Sequence, residues 1–154
     1  MIRSILMGFV AGMRSMTPIA VVSWAARRNR SLSHNIPLSI LTSPVVSKAT
    51  LALAAAELLG DKMHSAPDRI IVPGILARVV TGAIAGAAVA PRQDRTLGAV
   101  LGASVAVGAA YLTFQLRKQA IRTGGQASTG LIEDALALSA ALWVAHAGRS
   151  SDLK

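Results

Sequence analysis

Residues 97–116 read LGAVLGASVAVGAAYLTFQL. The stretch carries no charge, and glycine, alanine, valine and leucine make up most of it. A helix rises about 1.5 Å per residue, so twenty residues match the roughly 30 Å of a bilayer's hydrocarbon core. The run is too long for one strand. Lipid admits only helices or closed barrels, and barrel strands alternate polar and apolar residues over about ten positions. No such alternation is present, so the stretch predicts a membrane helix.

Four more apolar segments surround it, at about 2–26, 45–59, 70–90 and 131–147. The first is interrupted over 14–18, where Arg14 precedes Pro18. The expected fold is all-α: a polytopic membrane helix bundle of about five segments, the first one broken. A length of 154 residues is one domain's worth, here 1–148, followed by a polar tail, 149–154. The connections read as a polar loop over 27–44, a basic turn over 91–95, and a basic stretch over 117–130 that ends in Gly, Ser and Thr. Pro44 suits the first turn of the second segment.

Composition agrees. Hydrophobic residues are 53% of the chain and charged residues 15%, against roughly 25% charged in soluble domains. Aromatics are 3%, and the abundance of small residues suits helices packed closely in lipid. The net charge of +9 invites a nucleic-acid reading. The basic residues flank apolar runs instead of lining one face, and few aromatics are free to stack on bases, so no nucleic-acid partner is expected. Without cysteine there is no disulfide or thiol chemistry. The first segment has the length of a signal peptide's apolar region, but Arg14 interrupts it and no small-residue cleavage site follows cleanly. It reads as a retained helix.

Five spans would put Arg3, Lys62, Arg69, Arg117, Lys118 and Arg122 on one side of the membrane. Arg27, Arg28, Arg30, Arg92, Arg95, Arg149 and Lys154 would lie on the other. Six against seven assigns no orientation by the positive-inside rule.

Charges inside apolar helices are costly and as a rule face a bundle interior or a cavity. Four places qualify. The first is the break, where Gly12, Ser15, Thr17 and Pro18 weaken the helix around Arg14. Broken helices bind ions and anionic groups in transporters, and a guanidinium can hold a carboxylate or phosphate bidentately. The alternative is a proline kink with a structurally paired arginine. The second is Glu57 and Asp61, four residues apart on one helix face, which repel each other if both are ionised. A nearby cation, a bound ion or a shared proton resolves that conflict. The third is Arg78, set to pair with Glu57 or Glu133 or to reach an interface. The fourth is the adjacent pair Glu133 and Asp134. These diverge by about 100° on a helix, so one of them faces inward, where it would meet Arg14. Acidic residues in a first helical turn also have a plain electrostatic reason.

Three GxxxG patterns, Gly8/Gly12, Gly82/Gly86 and Gly98/Gly102, permit close helix crossings. No zinc-protease, P-loop or dinucleotide motif occurs. His34, His64 and His146 are far apart in sequence, and the acidic spacing fits no calcium-loop template. No enzyme activity, cofactor or metal is expected.

The stretches AGMRSMTP (11–18), AELLGDKMHSAPDR (56–69), ARVVTGAIAGAAVA (77–90) and GLIEDALAL (130–138) together resemble a bacterial membrane-protein family, number 4126 among the domains of unknown function. The resemblance spans nearly the whole chain. It implies an integral membrane protein with motif charges at Arg14, Glu57, Asp61, Lys62, Arg69, Arg78, Glu133 and Asp134, and it supplies no activity.

The leading expectation is a small transporter or channel for a solute or ion, in the inner (plasma) membrane. Its binding residues would be Arg14, Ser15, Thr17, Glu57, Asp61, Arg78, Glu133 and Asp134. A chain this small would need to form a homo-oligomer to line a pathway. Membrane lipids are its other expected partner. The alternative is a non-transporting membrane scaffold or assembly factor in which the same charges form buried pairs.

Overall fold

The structure is a computed structural model. It describes residues 1–28, 39–60, 72–124 and 134–144. Among these, six α-helices occur and no strand. They are α1 Ile2–Met13, α2 Thr17–Arg28, α3 Pro44–Gly60, α4 Val72–Val89, α5 Arg95–Gly124 and α6 Asp134–Val144. Single 3₁₀ turns, Ser39–Thr42 and Arg92–Asp94, precede α3 and α5.

The proline positions explain three helix starts. Pro18, Pro44 and Pro73 each fall in a first turn, where the missing N–H removes no helical bond. Pro18 therefore begins a second helix instead of kinking the first. Arg14 ends α1 in an extended conformation (φ −141°, ψ 115°). The interrupted first segment is thus two helices, and six helices replace the five expected segments.

The basic stretch after 116 differs from the sequence reading. It was expected as a connection, but α5 continues to Gly124. Gln115, Leu116, Arg117, Lys118, Gln119 and Ala120 are good helix formers without a proline among them. The polar tail at 149–154 and most of the 27–44 loop lie outside the described residues.

Among the described residues, two segments are long and apolar enough to cross a membrane, Val72–Val89 and Arg92–Leu116. With α1 they make the tightest contact in the molecule, and all three glycine pairs meet there. A Cβ at Gly8 would come 2.5 Å from the Gly102 carbonyl oxygen, one at Gly82 2.7 Å from the same oxygen, and one at Gly12 2.6 Å from that of Ala106. Gly86 lies against Gly98, and the Ser4 hydroxyl donates to the Gly86 carbonyl at 2.9 Å. These pairings set the register. α1 runs parallel to α5, and both run antiparallel to α4.

The core is mostly apolar, with Met7, Val10, Val22 and Val144 fully enclosed, and several polar groups are buried with it. Ser4, Arg14, Thr17, Ser23, Ser47, Thr50, Arg78 and Thr81 are buried. Large apolar residues on the same helices face outward, among them Phe9, Leu51, Leu53, Leu76 and Val80. The buried hydroxyls are satisfied locally: Thr50 donates to the Ser47 carbonyl at 3.1 Å, Thr81 to that of Arg78 at 3.3 Å, and Ser23 to that of Leu41 at 2.6 Å. The last bond joins α2 to the turn before α3. Ser23→Ala should cost about 1 kcal/mol by loss of one buried hydrogen bond, read as a small drop in the thermal midpoint of the detergent-solubilised protein. An unchanged midpoint would show the tie is not made.

Candidate functional site

Five helix ends meet at one level: the C-terminal ends of α1 and α3 and the N-terminal ends of α2, α4 and α6. Among the described helices, α4 passes this level in its second turn and α5 runs through to Gly124. Each charge drawn there complements a helix end. A helix N-terminus carries partial positive charge and a C-terminus partial negative charge.

Glu57, in the last turn of α3, reaches across to the start of α2. Its Oε1 accepts the Ser15 N–H and the Ser15 hydroxyl, both at 2.8 Å, and its Oε2 accepts the Met16 N–H at 2.9 Å. The carboxylate thus occupies the anion site that a helix N-terminus offers. Arg78, buried in the second turn of α4, does the converse. Its Nε donates to the Gly12 carbonyl at 3.1 Å, in the last turn of α1, and its Nη1 donates to the Gly74 carbonyl at 2.9 Å. Arg14 Nη2 donates to Asp134 Oδ1, at the first residue of α6. The Arg14 side chain is 1% exposed and that of Asp134 15%. Thr17 and Pro18, the first residues of α2, are buried beside the break.

The structure therefore brings together Arg14, Ser15, Thr17, Glu57, Arg78 and Asp134 around the break at Gly12 and Pro18. Asp134 is drawn to Arg14. Arg78 donates to carbonyls of α1 and of its own helix. Asp61 and Glu133 lie outside the described residues. Sequence reading missed the Gly12 and Gly74 carbonyls and the Met16 N–H, because main-chain groups carry no residue-type signal. The one available hint was the proline after a short apolar helix, which forces free carbonyls and N–H groups at that point.

The centre lies inside the apolar part of the bundle, closer to one end. Arg78 is six residues from the start of α4, about 9 Å at 1.5 Å per residue. On α5, Gly12 lies against Ala109. The apolar part of α5 ends at Leu116, seven residues on, or about 10 Å. Among the described residues no group of three or more His, Cys, Asp or Glu is placed to hold a metal ion.

Among the described residues, fold and site together define an all-helical protein with two helices long and apolar enough to cross a membrane and a charged centre at a broken helix. The chain matches the family model "Domain of unknown function (DUF4126)" over residues 2–147 and belongs to that family. No curated protein and no solved structure matches it.

Proposed function

We propose that the chain is a multi-pass protein of the inner (plasma) membrane that binds and passes a small ion or solute at the charged centre. Exposed large apolar side chains support the membrane, because they fit lipid, and so do the two arginines buried within apolar helices. One observation carries the transport reading. The protein's own carboxylate, Glu57, occupies a half-helix N-terminus about 10 Å inside the apolar region. A proton on Glu57, or a competing anionic group, would free that terminus. Arg14 and Arg78 supply the cationic surroundings for a negatively charged solute. A homo-oligomer would help a chain of this size enclose a pathway.

The test is flux in proteoliposomes of the purified protein, with entrapped pH-sensitive dye and an imposed proton gradient. Wild type should dissipate the gradient faster than protein-free vesicles. Glu57→Gln keeps the shape but cannot ionise. It should reduce the rate at least tenfold, the scale of losing a group that carries the proton. Equal rates in wild type and empty vesicles would remove proton-coupled transport.

A second reading has its own support. Glu57, Asp134, Arg14 and Arg78 each have partners within the bundle, as a scaffold requires. Under that reading Glu57→Gln alters stability and leaves vesicle flux at the background of the wild type.

A further inference from the structure

We infer that the bundle has one orientation in the membrane: the end that carries the first turn of α1 faces the cytoplasm, and the charged centre lies nearer the opposite face. The inference rests on the membrane reading above.

The argument begins at the break. Ser4 lies beside Gly86 and Gly98, and Gly12 lies beside Arg78 and Ala109. α1 therefore descends from one end to the centre. α2 starts at the centre, where Glu57 of α3 meets Ser15 and Met16. Ser23, farther along α2, bonds Leu41 just before α3 begins, so α2 and α3 are antiparallel. Past the centre α5 continues to Gly124. α2 packs on α4, and Val22, Ala25 and Ala26 share an apolar cluster with Ala85 and Ala88 from the far half of α4 and with Met7 of α1. α2 therefore returns alongside α1 and α4, and residues 14–16 form a turn between two helices.

That turn changes the charge count. With α2 returning, Arg3, Arg27, Arg28, Lys48, Arg92 and Arg95 belong to one end of the bundle. Arg117, Lys118 and Arg122, on the last turns of α5, belong to the other. Among the described residues the count is thus six against three. Arg14 and Arg78 are buried in the centre and count for neither end. A single broken span had left the ends balanced. The excess places the first end in the cytoplasm. Trp24, with the Arg28 guanidinium 4.6 Å from its ring centre, suits an interface position at that same end.

The consequence for the site is directional. The centre lies about 10 Å from the non-cytoplasmic boundary of the apolar region. On the cytoplasmic side of it, α1, α4 and α5 are closed on one another by the glycine contacts. A proton or solute reaches the centre first from outside the cell.

The chain has no cysteine, so single cysteines report without background. Gln119→Cys lies on α5 past the centre, Gln93→Cys in the turn between α4 and α5, and Ser43→Cys between α2 and α3. Each is expressed in a bacterial inner membrane and treated with a membrane-impermeant maleimide, in intact spheroplasts and after lysis. Expected is labelling of Gln119→Cys in intact spheroplasts, and of Gln93→Cys and Ser43→Cys only after lysis. Labelling of Gln93→Cys in intact spheroplasts, alone or together with Gln119→Cys, would overturn the single orientation. Ser43→Cys behaving like Gln119→Cys would restore one broken span and remove the charge argument. Alkaline carbonate extraction of the same cells separates the two levels: recovery of the chain in the soluble fraction would sink the membrane reading itself.

Discussion

Arg14→Ala should destabilise the protein by about 3–5 kcal/mol, the scale for removing one partner of a buried ion pair. The guanidinium is almost wholly enclosed and meets Asp134 at the start of α6. Without it the Asp134 carboxylate remains in an apolar surrounding with its main countercharge gone. The single variant should therefore lose much of its ordered fraction in detergent, read as a fall in the thermal midpoint. Arg14→Ala combined with Asp134→Ala should recover part of that loss, because no charge is stranded. Arg14→Lys should fall between, since an ammonium keeps the charge but not the planar fork. A double variant no more stable than Arg14→Ala would mean that the two residues are not coupled.

The second large effect belongs to the glycine contact. A Cβ at Gly102 would run into the Gly82 carbonyl and the Gly86 Cα, so a side chain there must push α4 away. Overpacking of this kind costs about 1–3 kcal/mol when neighbours can shift, and here the neighbours are main-chain atoms, which shift poorly. Gly102→Leu should exceed that range and prevent recovery of folded protein. Gly108 is on the same helix, and a Cβ there meets nothing within 4 Å. Gly108→Ala should be neutral or slightly stabilising, because alanine is the better helix former by about 1 kcal/mol. Equal yields of the Gly102→Leu and Gly108→Ala proteins, measured by size-exclusion chromatography, would contradict the packing described.

Much of this was legible in the residues. The long uncharged run of α5 and the shorter apolar runs specify helices because chain length and the need to pair every backbone group leave no other regular structure. Pro18 and Pro44 mark helix starts because a proline is harmless only in a first turn. Arg14, Glu57, Arg78 and Asp134 stand out because charge amid apolar residues demands a partner.

The partners themselves could not be read in the same way. Arg78 finds main-chain carbonyls, and Glu57 finds two N–H groups and a hydroxyl. These are common to every sequence, and only the meeting of helix ends makes them available. That Arg14 meets Asp134 depends on where α6 begins against the break. Likewise three glycine pairs, each weak alone, form one contact because parallel and antiparallel registers bring them to matching heights. The sequence by itself determined an all-helical chain, its break and its out-of-place charges, since these follow from local chemistry along the chain. The tertiary structure alone decided that the break is satisfied by charges from other helices, since that depends on which helix ends are brought to the same level.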